Sequence, residues 1–219
     1  MAMNLAQPTA RPIPAAAPRE HPLRRAFDVA ASVVLLLIAA PLLLIGMAAV
    51  LIGSGRPIFF GHVRVGRGGR PFRCWKLRTM APGAEAYLAM NPALRERHAR
   101  NGYKLPVRED PRVTRVGRWL RHTHLDELPQ LVNVLGGTMS LVGPRPVVED
   151  ELAHYGDSAA ELLTARPGLV GAWTSRGRRR PPYPERARLE LAYVRTRSLL
   201  GDLRILALSI PVVLQFRED

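Results

Sequence analysis

The sequence predicts a mostly helical α+β protein, with one N-terminal membrane helix followed by one compact domain. Three observations predict it. Residues 29–55 carry no charged side chain, and roughly 20 apolar residues suffice to cross a bilayer. Residues 58–77 place short apolar runs on either side of the glycine-rich VGRGG, the pattern of a small hairpin. Leu125, Leu128, Leu131, Val132 and Leu135 recur at three- and four-residue intervals, so a helix over them buries one face.

Composition narrows the class. A chain of 219 residues is long enough for one domain with a real core. The formal net charge is +14, from 32 Lys+Arg against 18 Asp+Glu. That balance asks for an anionic partner: nucleic acid, an anionic membrane surface or a phosphorylated substrate. Aromatic residues are only 6% of the chain, and no helix-turn-helix, zinc-finger or RNP signature is present. Nucleic acid is therefore not the expected partner. The single Cys74 has no internal disulfide partner, and no CxxC or His/Cys cluster suggests zinc.

Residues 1–22 are rich in Ala and Pro without apolar periodicity and read as a disordered tail. They hold no apolar h-region with a cleavage site, so no secretory signal is expected. Residues 23–55 form the membrane helix, because a soluble helix of this length would show a polar face. Pro41 sits near its middle, where a proline kinks or breaks a helix. Arg19, Arg24 and Arg25 precede the apolar run, and Arg56, Arg64, Arg67 and Arg70 follow it. Cytoplasmic flanks collect Lys and Arg, so both ends are drawn to the cytoplasm. A hairpin kinked at Pro41 that dips into one leaflet satisfies both facts. A tilted, proline-kinked span is the other reading.

Residues 56–219 form the domain. Ile58, Phe59 and Phe60 open a strand, VGRGG turns the chain, and residues 72–77 make a second strand. Lys76 and Arg78 either belong to an ordinary basic hairpin at the membrane surface or hold phosphate oxygens. Residues 81–100 are helical with mixed charge, and residues 103–111 are a loop. Arg112, Arg115, Arg118 and Arg121 follow at three-residue steps, which usually means a solvated basic face.

Asp126 and Glu127 come next. Pro129 is tolerated in a first helical turn, and Gly136 and Gly137 end the helix. The two acids therefore lie at or near its N-terminus, where caps and first-turn acids are common. Two adjacent acids among many arginines also suit work on a phosphate with a divalent metal. His124 reads as a surface histidine rather than a general base. TMSLVGPRP is a short apolar segment closed by a rigid double-proline turn that presets Arg145. A preset arginine loses less entropy when it engages phosphate. Glu149, Asp150 and Glu151 open a helix through Tyr155 and are given a structural role. Residues 202–216 are amphipathic with Pro211 inside, too short to span, and suited to the membrane interface.

DPRVTRVGRWLRHTHLDELPQLVNVLGGTMSLVGPRP resembles the signature of the bacterial sugar transferases, the monotopic polyprenyl-phosphate phosphoglycosyl transferases. The hairpin resembles that family's PxFFxQxRxGxxGxxFxxxKxRTM, with Gly61 and His62 where a polar residue such as Gln is usual. ARPGLVGAWTSRGRRR resembles RPGLTGLWQVSGR: Arg166, Pro167, Gly168, Gly171, Trp173, Gly177 and Arg178 match, while Thr174, Ser175 and Arg176 depart. ERARLELAYVRTRSLLGDLRIL resembles the closing helices, with Glu190 in place of a usual Asp, and His124 stands in place of a usual Ser. The resemblance covers residues 24–216, with its motifs in order.

The resemblance implies a monotopic protein of the bacterial inner (cytoplasmic) membrane. Its N-terminal helix is re-entrant, with Pro41 at the break, and one compact catalytic domain faces the cytoplasm. It further implies transfer of a sugar 1-phosphate from a UDP-sugar to undecaprenyl phosphate, with release of UMP, as the first step of glycan assembly. Asp126 is then the nucleophile of a ping-pong reaction through a covalent phosphosugar, and Glu127 helps hold Mg²⁺. Lys76, Arg78, Arg112, Arg145, Arg166 and Arg178 are the candidates for binding substrate phosphates, with their individual roles open. The sugar, the glycan and the oligomeric state, a homo-oligomer included, also stay open. Two other readings stand beside this one. A membrane-anchored basic adaptor for anionic lipid or nucleic acid explains the charge and the apolar run, but not the acids in an arginine-rich, proline-fixed setting. A membrane phosphatase or other phosphotransferase shares the site chemistry.

Overall fold

The computed structural model describes residues 21–101, 105–174 and 181–214. Helix α1 (Pro22–Ser54) opens with Pro22 in its first turn and stays helical through Pro41. A proline there removes one hydrogen bond without ending the helix. Only Asp28, Ser32, Gly46 and Val50 are buried, two near each end. Between them Leu37 is 71% exposed, Ile38 70% and Leu44 64%. An apolar surface of this extent marks contact with lipid or another protein rather than water.

Strands β1 (Phe59–Val65) and β2 (Pro71–Leu77) pair antiparallel, with Phe60 opposite Lys76 and His62 opposite Cys74. The predicted hairpin is present, and a single turn of 3-10 helix (Arg67–Gly69) joins its strands. Two short helices follow, α2 (Ala84–Met90) and α3 (Pro92–Arg100), where one helical stretch was expected. Asn91 separates them, extended at φ −114°, ψ 90°. It precedes Pro92, and a pre-proline residue is pushed out of helical geometry. Helix α4 (Arg115–His122) is capped by Thr114, whose Oγ1 accepts from the Gly117 N–H at 2.9 Å.

The segment after α4 departs from the expected single helix. A 3-10 turn (Leu125–Glu127) comes first, and helix α5 (Gln130–Leu135) starts only after Pro129. The buried face differs too. Val132 is 53% exposed, whereas the polar Gln130 and Asn133 are buried. The apolar spacing counted a residue that faces outward and passed over one that the sheet needs. Strand β3 (Ser140–Val142) pairs in parallel with β4 (Gly168–Val170). Between them lie a 3-10 helix (Glu149–Ser158), bent at Gly156, and α6 (Ala159–Leu162). Helices α7 (Glu185–Thr196) and α8 (Leu199–Leu214) close the described chain.

Two cores hold these elements. The larger joins Leu131, Val134, Met139, Leu141, Val142, Leu162 and Tyr193, with Phe27, Ala31 and Leu36 of α1 packed on it. The smaller is Val50, Leu77 and Leu120, flanked by Leu43, Met47, Val116 and Leu125. Each end of α1 therefore packs on the domain. Polar ties reinforce this. Asp28 accepts from Ser140 Oγ at 2.7 Å and from the Leu141 N–H at 3.0 Å. Arg25 donates to the Val134 and Leu135 carbonyls at 2.5 and 2.7 Å, at the C-terminal end of α5, where a cation is favoured.

Candidate active site

One face of the hairpin builds the site. Alternation along paired strands puts Phe60, His62 and Arg64 on the same side as Phe72, Cys74 and Lys76. Lys76 Nζ meets Glu127 Oε1 at 2.8 Å. Glu127 is held in the 3-10 turn, where its N–H donates to the His124 carbonyl at 3.1 Å. Beside it, Asp126 is only 4% exposed. Burying a carboxylate is costly unless it is compensated, so its neighbours are as much a part of the site as the acid itself.

Three devices fix this turn against the hairpin. Asn133 presents its side-chain amide to the edge of β2. Its Oδ1 accepts from the Trp75 N–H at 2.9 Å, and its Nδ2 donates to the Arg73 carbonyl at 2.7 Å. The side chain thus stands in for a third strand, which explains a buried polar residue on α5. Leu125 packs against the smaller core. Gly117 lets α4 approach the chain at Thr79, since a Cβ there would lie 1.9 Å from the Thr79 carbonyl oxygen.

Arg145 comes to the site from the double-proline turn, which Val147 ties to Val65 through a β-bridge. Its N–H donates to Glu190 Oε1 at 3.3 Å, and its buried Nε has no hydrogen-bond partner among the described residues. Arg64 lies close by, donating to the Pro146 carbonyl and to Glu151 Oε2, both at 3.3 Å. Burial and the neighbouring Arg145 push the Arg64 guanidinium down to about 10. Two guanidinium groups this close in a partly dry place suit an anion. Burial also raises the Cys74 thiol, against the pull of Lys76.

A buried network stands behind Arg145. Glu190, 1% exposed, accepts from Arg186 Nε at 3.2 Å and from Trp173 Nε1 at 3.2 Å, and pairs with the Tyr155 hydroxyl. Arg186, fully buried, also reaches Glu151 at 3.3 Å. Burial works against the Glu151 carboxylate, but Arg186, Arg145 and Arg64 outweigh it and hold its pKa below the usual 4.5. The carboxylate of Glu190 therefore links the double-proline turn, the chain after β4 and helix α7.

The structure sorts the sequence-predicted residues. Asp126, Glu127 and Lys76 come together, and Arg145 joins the same hairpin face through Arg64. Arg78 does something else. Its Nη1 donates to the Arg56 carbonyl at 2.7 Å and its Nη2 to the carbonyls of Gly55, at 2.8 Å, and Ser54. It caps the C-terminal end of α1, so its terminal nitrogens are engaged rather than offered to a phosphate. Arg112 forms a bidentate pair with Asp110, Nε–Oδ1 and Nη2–Oδ2 both 2.8 Å, with both residues buried. Its guanidinium too is committed elsewhere. Arg166 lies near Gly137, past the C-terminal end of α5 and so beyond the opposite end from Asp126. Arg178 lies outside the described residues.

Sequence reasoning did not single out Arg64 as a candidate, although period-two alternation along the paired strands puts it on the same hairpin face as Lys76. It gave Glu151 a structural role without seeing that it is buried, and it missed Glu190 as part of the same buried scaffold, because nothing local distinguishes a buried acid from a solvated one. Among the described residues no group of three His, Cys, Asp or Glu side chains could hold a metal. Mg²⁺ needs less, because it is commonly held by one or two carboxylates together with substrate phosphates. Asp126 and Glu127 fit that donor set.

A family model described as bacterial sugar transferase matches residues 19–216. The exopolysaccharide production protein ExoY of Sinorhizobium fredii is 47% identical over 195 residues, covering 87% of this chain and 84% of its own length. The undecaprenyl-phosphate galactose phosphotransferase of Salmonella typhimurium is 43% identical over 197 residues, 88% of this chain and 40% of the relative. The UDP-galactose-lipid carrier transferase of Erwinia amylovora is 41% identical over 197 residues, with the same two shares, 88% and 40%. A match over nearly the whole chain, carrying the acid pair, the basic hairpin and the double-proline turn together, places this chain in the bacterial sugar transferase family.

Proposed function

We propose that the chain transfers a sugar 1-phosphate from a UDP-sugar to undecaprenyl phosphate at the cytoplasmic face of the inner membrane, releasing UMP and starting exopolysaccharide assembly. The observation that carries this reading is the buried Asp126 beside the Lys76–Glu127 pair in one rigid turn. A carboxylate out of water is less shielded by hydration and better placed to attack phosphorus.

An Asp126 oxygen attacks the phosphorus bonded to the sugar, and the bond from that phosphorus to the bridging oxygen breaks. UMP leaves with the bridging oxygen. An oxygen of undecaprenyl phosphate then attacks the same phosphorus, forming the lipid diphosphosugar and freeing Asp126. Lys76 and Arg145 offset charge on the donor's phosphates as it redistributes. Mg²⁺, held by Glu127 together with donor oxygens, would supply further charge neutralisation. A re-entrant α1 is supported by its two ends being held on one domain while residues 33–45 between them are largely uncovered. That arrangement would bring a long lipid acceptor to a soluble donor and lower the entropic part of the barrier.

The test is UMP release from a panel of UDP-sugars by purified protein in lipid with undecaprenyl phosphate and Mg²⁺. Asp126→Asn is expected to lose at least about 10³-fold in turnover with unchanged thermal unfolding. Near-normal turnover in that variant would remove Asp126 as nucleophile.

A further inference from the structure

The site face of the hairpin holds a polar side chain with no part in the steps above, His62. Along the paired strands that face runs from Phe60 opposite Lys76, through His62 opposite Cys74, to Arg64 opposite Phe72. Lys76 holds Glu127 at one end. Arg64 and its neighbour Arg145 stand at the other. His62 lies midway, two residues or about 7 Å of strand from each end. Cys74 across from it is within electrostatic reach of both ends. Burial acts first on its thiol, and Lys76, Glu127, Arg64 and Arg145 all act on it as well.

The His62 ring is held in one orientation. Its Nδ1 lies 2.9 Å from the Val63 carbonyl oxygen. That oxygen only accepts, so Nδ1 carries the proton and donates it. The Phe60 ring meets the imidazole edge-on, with 6.1 Å between centroids and 72° between planes. Burial lowers the His62 pKa below its usual 6.5, and Arg64 and Lys76 add to this against the Val63 carbonyl and Glu85 of α2. At neutral pH the imidazole is therefore uncharged, and its Nε2 presents a lone pair. Among the described residues none donates to that nitrogen.

The groups on this face thus divide by chemistry. Lys76, Arg64 and Arg145 can only donate, which suits phosphate oxygens. The Nε2 of a neutral His62 can only accept, and the ionised oxygens of a diphosphate offer it no proton. A hydroxyl does. A UDP-sugar carries hydroxyls on its ribose and on its sugar, whereas undecaprenyl phosphate carries none.

We propose that His62 Nε2 accepts a hydrogen bond from a hydroxyl of the UDP-sugar, which makes His62 a specificity residue for the donor. The inference rests on the transferase reading above.

The full chain in lipid, with undecaprenyl phosphate and Mg²⁺, is assayed for UMP release. If the wild type releases UMP from none of a panel of UDP-sugars, the transferase reading fails and takes this proposal with it. With an active donor, His62→Ala is expected to lower kcat/KM about five- to tenfold, chiefly through KM, with unchanged thermal unfolding. His62→Gln keeps an acceptor oxygen and should stay within about threefold of the wild type. His62→Lys, a donor only, should do no better than His62→Ala. Monodeoxy donors then identify the hydroxyl. One of them should be poorer than its parent for the wild type, by a factor like that of His62→Ala, yet no poorer for His62→Ala itself. If the missing hydroxyl is on the ribose, the contact is to the nucleotide; if it is on the sugar, the contact is to the transferred group. Wild-type kcat/KM in His62→Ala overturns the proposal, as do additive losses for every monodeoxy donor. Recovery by Lys equal to that by Gln also overturns it, by assigning His62 to a phosphate.

Discussion

At the residue scale, His124 is the one described non-glycine residue with a left-handed backbone, at φ 60°. It stands two positions before the buried Asp126, and its carbonyl accepts from the Glu127 N–H. That conformation costs an ordinary L-residue roughly 1–2 kcal/mol, so the turn that presents the acids is held against a local preference. His124→Gly should keep UMP release within about twofold and raise stability by up to about 1 kcal/mol. His124→Val, β-branched and ill suited to positive φ, should lower both turnover and the unfolding temperature. Turnover and thermal unfolding of the two variants check this. Arg78 makes the complementary point. Its three carbonyl acceptors predict that Arg78→Ala loses about 1.5–3 kcal/mol of stability. A rise in KM for the UDP-sugar with unchanged stability would instead restore Arg78 to the phosphates.

At the scale of elements, the hairpin and α5 act as one unit because Asn133 completes the edge of β2. Asn133→Ala leaves the Trp75 N–H and the Arg73 carbonyl without those partners. A loss of about 1–3 kcal/mol is expected, measured by denaturant unfolding, together with reduced turnover because Lys76 sits on the same strand. The sequence made the hairpin legible through its glycines and alternation. It made α4 legible less directly, through a run of arginines whose apolar partners Val116 and Leu120 are few. It did not make the 3-10 turn legible. Apolar spacing over residues 125–135 fits one helix, and only the packing of Leu125 on the smaller core and the start at Pro129 divide it in two.

At the scale of the whole molecule, the buried charges link stability to pH. Glu151 is held below the usual 4.5 by three arginines that outweigh its burial. A carboxylate with a lowered folded-state pKa contributes stability above its unfolded pKa and loses it as pH falls through the folded value. The unfolding temperature should therefore drop as pH falls from 4.5 downward, and Glu151→Gln should show a shallower drop from a lower starting point. An equally steep drop in that variant would mean that other carboxylates dominate. What the sequence by itself determined was chemical inventory and local pattern: an uncharged run of membrane length, the hairpin, the acid pair and the motifs of the family. These are written in neighbouring residues, and residue type and short-range period are enough to read them. Only the tertiary structure decided which partner each cation meets. Arginines at residues 64, 78, 112, 145 and 166 look alike in one dimension. Whether a guanidinium caps α1, pairs with Asp110, or lies near the acids depends on which carbonyls and carboxylates the fold brings within 3 Å or so of it, and those partners come from distant parts of the chain.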